Sequence, residues 1–310
     1  MITDPLFRFK HAFVTGATGI VGSALCEMIS KRGIPVTTYS RTSSKFPKLL
    51  GIRHVPGDIL DFEVLRNAAK DSDVIFHVAA VVHNSVSTIA EYQNVNVIGT
   101  QNVIRVARDI DAKLIHVSTV NVEGFRKGEL LDEYARTKSQ AEDLVQIGID
   151  DGLDAVIVRS ATVFGNQAGR AGLILDRVLD GSLKVLPAPS RKISPVWKYD
   201  LVTALINAAE VGEKGHTYTI AGPTITTANF VKCVSQTVGL PVPLLLIPAW
   251  MISLPLRLAW AFKFLTRWTP PVSMESLQND SIHDGRKAAQ ELEFRYTNLS
   301  EIFTNSNKGL

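Results

Sequence analysis

Tyr134-Ala135-Arg136-Thr137-Lys138 opens a helical segment, so a phenol and an ammonium four residues apart share one helix face. A free tyrosine titrates near about 10 and is a poor base at neutral pH, whereas a nearby ammonium favours the phenolate. Such a pair is a candidate acid/base unit. Fifteen residues before the tyrosine stands Thr119, in the run Ser118-Thr119-Val120-Asn121-Val122-Glu123-Gly124, directly after a β-branched stretch that reads as a strand. Hydroxyls at the carboxyl end of a parallel strand sit where α/β sheets bind ligands. The surface reading of Tyr134 and Lys138, and a strand-end reading of Thr119 satisfying its own backbone, weaken once the three occur in this order.

A second constellation lies near the amino terminus. Thr15-Gly16-Ala17-Thr18-Gly19-Ile20-Val21-Gly22 places three glycines three apart between a strand and a helix. Glycine lets the backbone turn tightly and approach a pyrophosphate, while the following helix offers unpaired N–H groups and the positive end of its dipole. The end of the next strand separates the two nicotinamide dinucleotides, because a carboxylate there accepts from the ribose hydroxyl and repels a 2′-phosphate. Here the residues are Tyr39-Ser40-Arg41-Thr42. With no carboxylate and with Ser40 and Arg41 as donors, NADP(H) is favoured over NAD(H).

The elements that must hold these groups follow from periodicity. From Lys10 to Val120, short β-branched runs alternate with helix-period segments, the pattern of βαβ units and a parallel sheet. Strands are expected near Ala12–Thr15, Val36–Tyr39, Val74–Val78, Leu114–Ser118 and Ala155–Arg159, in a sheet of six or more. Helices are expected after the glycine loop with Gly33 as a C-terminal cap, from an Asp61 cap to about Lys70, from Tyr134 to Gly148, and from Asp200 to about Val211. The fold class is α/β: a Rossmann-type doubly wound parallel sheet with a smaller, interleaved C-terminal substrate-binding lobe. The expected division is 1–165 for the dinucleotide core and 166–310 mainly for the lobe, with about 190–220 returning to the core.

Composition narrows the partners. The 310 residues are 45% hydrophobic and 20% charged, which excludes a disordered chain, and a formal net charge of +3 without a basic run leaves no patch for nucleic acid. Two cysteines, Cys26 and Cys233, exclude a disulfide scaffold and fit a reducing compartment. No metal-ligand spacing is present. Met1 to His11 has no apolar stretch and does not read as a secretory signal, so a cytoplasmic location is expected. Leu240–Leu256 is uncharged but carries four prolines, which argue against a spanning helix. The wider segment 240–265, with Trp250, Met251, Trp260 and Phe262 among Arg257 and Lys263, reads as lobe core, the wall of an apolar pocket, or a peripheral membrane contact.

Taken together, the motifs resemble the extended branch of the short-chain dehydrogenase/reductase superfamily, the NAD-dependent epimerase/dehydratase family. The matching pieces are Thr15 to Gly22, Gly57-Asp58-Ile59, His77-Val78-Ala79-Ala80, Asn96 in an Asn-x-x-Gly-Thr stretch, Tyr134-x3-Lys138, and Arg159-Ser160-x2-Val163-Phe164-Gly165, about half the chain in the family's order. The resemblance implies a cofactor site of Gly16, Thr18, Gly19, Ile20, Gly22, Ser40, Arg41, Asp58, Ile59, Val78, Ala79, Ala80, Ser118, Tyr134, Lys138, Ser160 and Val163, with Asp58 accepting from the adenine amine. It implies Thr119, with Ser118 as the alternative hydroxyl, Tyr134 and Lys138 as the catalytic triad, with Asn96 near the active centre. Thr119 stands where most members carry Ser, and Ser160 where relatives usually carry Pro.

Three functions are consistent with these residues. One is an NADP-dependent oxidoreductase moving a hydride between nicotinamide and a hydroxy or keto carbon of a small hydrophobic, sterol-, flavonoid- or lipid-like molecule. The hydroxysteroid dehydrogenase and dihydroflavonol reductase groups are the nearest in character. The second is a nucleotide-sugar epimerase or dehydratase, with Arg170, Arg177 and Arg191 available to a diphosphate. The third is a non-catalytic cofactor-binding subunit, against which the intact triad argues. By analogy with the family, a homodimer through helices near Asn94–Arg108 and Tyr134–Gly148 is also expected.

Overall fold

The computed structural model describes residues 8–42, 51–82, 88–130, 132–165, 175–242, 245–249, 251 and 279–305. The chain forms two compact units. The first comprises residues 1–163, 196–221 and 285–295, and the second comprises 164–195, 222–284 and 296–310.

In the first unit the strands are β1 (Ala12–Thr15), β2 (Val36–Ser40), β3 (Ile52–Pro56), β4 (Val74–His77), β5 (Lys113–Thr119) and β6 (Ala155–Ser160). After the short β7 (Val163–Phe164), the chain leaves for the second unit, with β8 (Val185–Pro187) and β9 (Lys192–Ile193). It then returns through β10 (Val196–Trp197) to β11 (Thr217–Ile220). Seven strands make one sheet in the order β11-β6-β5-β4-β1-β2-β3, every pair parallel. The order reverses between β1 and β4, and ligands of open α/β sheets bind outside the carboxyl ends of the strands at such a reversal.

Both faces of this sheet are covered. Phe13, Ile75, Leu114, Ala155 and Ile157 alternate along their strands toward one face. There they pack with Leu65, Val103, Ile104 and Val145 of α2 (Phe62–Ala69), α4 (Gly99–Asp109) and α6 (Glu133–Asp150). The intervening Val14, Phe76, Ile115 and Val156 are equally buried. On that side α1 (Ile20–Lys31) packs against α7 (Lys198–Glu210). Burial on both faces is why the central strands read as near-continuous apolar runs.

Local capping accounts for the helix starts. The Asp61 side chain accepts from Val64 N at the start of α2, and Asp132 accepts from Ala135 N at the start of α6. Gly33, at φ +78°, follows α1 and donates to Ser30 O. Before α4 come α3 (Ile89–Tyr92) and a π-helical stretch over Gln93–Ile98, and after β5 comes the short α5 (Asn121–Arg126). The edge strand β3 was not among the expected elements. Residues 285–295 join the first unit because Ala288, Leu292 and Phe294 are buried there and Asn207 Nδ2 donates to Leu292 O.

In the second unit β12 (Ile225–Thr226) pairs antiparallel with β9, and β13 (Leu245–Ile247) parallel with β8. Phe164, Phe230 and Phe303 form its aromatic centre. Most of 240–265, including Trp250, Trp260 and Phe262, and also Arg170, lie outside the described residues. Among the described residues no helix is long and apolar enough to cross a membrane.

Candidate active site

The glycine loop leaves β1 and turns into α1. Gly16 sits at φ +69°, and a Cβ there would lie 2.5 Å from Ala79 N, so both dihedral and space demand glycine. A Cβ on Gly22 would strike Gly16 O, whereas one on Gly19 would meet only that oxygen, at 3.4 Å. Gly16 and Gly22 therefore hold the loop tight while Gly19 keeps its outer side clear. Thr18 and Gly19 are exposed. The twelve-residue α1 has no side-chain cap and no acidic residue in its first turn, with Ile20 opening it, which suits the pyrophosphate of a dinucleotide. The cradle fits the group that the sequence implies.

Along the sheet from this loop, Ser40 Oγ donates to Thr42 O and Arg41 is exposed. At the end of β3, Tyr39 Oη donates to Asp58 O, and Gly57 leaves room for the Tyr39 ring. Asp58 is exposed and accepts from Leu60 N, while Ile59 is buried against Gly99. Asn102 fixes this turn by donating to the carbonyls of Ile59 and Leu60. Val78, Ala79 and Ala80 are half-buried after β4, with Ala79 N donating to Thr15 Oγ1.

Asn96, on the π-helical stretch, is held by protein on both ends of its amide. Its Oδ1 accepts from Val81 N, and its Nδ2 donates to Val81 O and to Thr137 Oγ1 of α6. It ties the strand-end loop to the helix that carries Tyr134 and Lys138.

Thr119 is 7% exposed and hydrogen-bonds the Tyr134 side chain. Burial and the nearby Asp132 carboxylate raise the tyrosine pKa, the Thr119 contact lowers it, and the result is pushed up to about 12. The ammonium-depressed phenol expected above is not what these residues alone produce. Lys138 Nζ instead donates to Val117 O at 2.7 Å and contacts His116 Nε2 at 3.2 Å. Burial lowers Lys138 to about 8, opposed by Glu142 one turn further along α6. Glu142 is itself clamped by Arg159 through two hydrogen bonds, at 2.7 and 2.9 Å.

Beneath these groups lies a polar layer not anticipated from sequence. Thr15, His77 and His116 are in register on adjacent strands. His77 contacts Thr15 Oγ1 and Thr100 Oγ1, and Thr100 in turn donates to Asn96 O. The signal was available: alternation puts Leu114, His116 and Ser118 on the strand face that packs against α6. Ser118 is buried beside Thr119, and Ser160 and Val163 stand half-buried where β6 ends, with Val120 N donating to Ser160 O.

A family model, the NAD dependent epimerase/dehydratase family, matches residues 12–221. The chain belongs to that family. It is thus an NAD(P)-dependent enzyme of the extended short-chain dehydrogenase/reductase type, and the family binds a nicotinamide dinucleotide. Sterol demethylase protein B of Methylococcus capsulatus is 27% identical over 253 residues, 76% of each chain. The 3 beta-hydroxysteroid dehydrogenase/Delta 5-->4-isomerase of Mycobacterium tuberculosis is 28% identical over 316 residues, covering 91% of this chain and 85% of that one. The Bordetella bronchiseptica enzyme WbmH, solved in complex with NAD+, superposes with a TM-score of 0.73 at 20% identity, covering 95% of this chain and 96% of that one. The last likeness is one of fold.

Proposed function

We propose that the protein is an NADP-dependent oxidoreductase for a small hydrophobic hydroxy or keto compound, sterol- or lipid-like in character. The observation that carries this reading is the Thr119–Tyr134 hydrogen bond one helical turn from a buried Lys138. Thr119 orients the substrate oxygen, and Tyr134 exchanges the proton at that oxygen. Lys138 keeps a cation beside the strand end. A bound nicotinamide dinucleotide supplies or accepts the hydride.

Gly16, Thr18, Gly19, Ile20 and Gly22 hold the diphosphate, and Ser40 with Arg41 receives the 2′-phosphate. Asp58 and Ile59 seat the adenine, while Val78, Ala79, Ala80, Ser118, Ser160 and Val163 line the remaining length. The first unit serves the dinucleotide and the second supplies substrate recognition. For the substrate class, support comes from the sterol and hydroxysteroid relatives, each named for such chemistry.

The test offers purified protein NADPH with hydrophobic ketones, and in parallel nucleotide sugars with product analysis. Net NADPH consumption with a ketone is expected. Tyr134→Phe is expected to lower turnover by about 10²- to 10⁴-fold while NADPH affinity stays within about twofold. Retained turnover in Tyr134→Phe overturns the triad. Sugar conversion without net absorbance change overturns the oxidoreductase reading in favour of an epimerase.

A further inference from the structure

Lys138 has four rotatable side-chain bonds, and a free amine at the end of such a chain is not placed by its backbone alone. Two contacts place it here: Val117 O at 2.7 Å and His116 Nε2 at 3.2 Å. An ammonium has three donors and no acceptor. Two donors are turned toward protein, which leaves one for whatever binds at the strand ends.

His116 is fully buried, with its ring 5.3 Å from that of His77, and its Nδ1 has no hydrogen-bond partner among the described residues. Protonating it would set two cations in direct contact inside the sheet, and burial together with Lys138 and His77 holds its pKa well below the usual histidine range. A neutral imidazole facing an ammonium must present a lone pair. Nε2 is therefore the acceptor and Nδ1 carries the hydrogen.

We propose that His116 is a positioning residue for Lys138: its Nε2 anchors the amine beside the carboxyl end of β5 and, as an acceptor, favours the protonated amine. The proposal rests on the reading of Lys138 as part of the reacting group. No position in the motifs that identify the family marks His116. The other charged and titratable groups facing the pair are His77 on β4 and Glu142 on α6, the latter paired with Arg159 of β6, while Tyr134 lies one turn before Lys138 on α6. Asp132 and Tyr92 bear on Tyr134 from the start of α6 and from α3.

The experiment follows the Lys138 Cε resonance against pH in protein carrying isotope-labelled lysine, with the signal assigned by its loss in Lys138→Met. The wild-type midpoint is expected at about 8. His116→Leu removes the acceptor for the charged form, so the midpoint is expected to fall by about one pH unit. His116→Gln, which sets an amide oxygen near the position of Nε2, is expected to restore it. An unchanged midpoint in His116→Leu, or an equal fall in both variants, overturns the proposal.

If His116→Leu does not fold, the ring nitrogens of His116 in the wild type decide the matter. Correlation of ring nitrogens with ring protons below the Lys138 midpoint must show hydrogen on Nδ1 and none on Nε2. Hydrogen on Nε2 overturns the proposal. Neither readout needs turnover, so a failed His116 test and a failed Tyr134→Phe test are separate results.

Discussion

The carboxyl ends of β4 and β5 and the carboxyl end of β2 border the same sheet, yet they are built on opposite terms. Around β4 and β5, Thr15, His77, Thr100, Asn96, Thr137 and Lys138 are buried and bonded to one another or to backbone. Around β2, Arg41 and Asp58 are exposed, and Ser40 bonds only within its own turn. Where a proton must move, position is set by buried hydrogen bonds, which act strongly in a low dielectric and cost much when broken. On the proposed reading, the end of β2 discriminates between cofactors through exposed donors, with little involvement of the buried fold. The first region should therefore couple chemistry to stability, and the second should not.

The largest effect that separates the two is expected at Asn96. Asn96→Ala leaves the buried Thr137 hydroxyl and the part-buried Val81 backbone groups short of a partner, at about 1–3 kcal/mol for a buried group left unsatisfied and less where water can reach. A net loss of about 3 kcal/mol in urea unfolding is expected, and a loss under about 1 kcal/mol would break the contrast.

Acid should reveal the same region next. Burial, with Lys138 adding to it, holds His77 down at about 3, and His116 is also held low. An unfolded histidine takes up a proton below about 6.5, while these two refuse it, so stability falls as pH drops from about 6.5. Each contributes about 1.4 kcal/mol per pH unit. Urea midpoints measured between pH 6.5 and 4.5 should show this slope, and His116→Gln should halve the histidine part of it.

A smaller effect has the opposite sign. Lys138 gives up its proton near about 8 when folded and near 10.5 when unfolded, so stability rises with pH across that window. Below pH 8 the buried ammonium costs the fold about 3 kcal/mol. Lys138→Met should abolish turnover yet stabilise the protein at pH 7 by about 2 kcal/mol, with the gain shrinking at pH 9. A destabilised Lys138→Met would show that the contacts to Val117 and His116 outweigh desolvation.

At the open end the expected change is one of affinity alone. Arg41→Ala should weaken NADPH binding about tenfold, leave NADH binding unchanged, and shift unfolding by less than about 0.5 kcal/mol. Equal weakening of both cofactors would remove Arg41 from 2′-phosphate recognition.

The same contrast explains what could be read without coordinates. The central strands β1, β2, β4, β5 and β6 are buried and rich in β-branched and apolar residues, and β1, the glycine loop and the Asp61-capped helix lie where their residue types place them. The edge strand β3, Ile-Arg-His-Val-Pro, has only one neighbour and carries polar residues and a proline, so it lacks the apolar run that reveals the others. The π-helical stretch before α4 carries Asn96, and its residue pattern does not distinguish it from an α-helical turn. Tyr134 and Lys138 stood out through their spacing. His116 did not, since a histidine inside an apolar strand reads as filler until the lysine from another element is set against it.

The first unit takes its outermost strand, β11, and its last helix, at Arg286–Glu291, from segments that follow long excursions of the chain. During synthesis the sheet through β6 is present once residue 160 has emerged, but the residues that complete the unit, up to 295, arrive about 7 to 27 s later at ordinary elongation rates. Until residue 220 has emerged, about 3 to 12 s after residue 160, the outer edge of β6 is a parallel strand without its neighbour. The nascent chain thus presents an adhesive edge for seconds on the ribosome, where a holding chaperone would find its most persistent target.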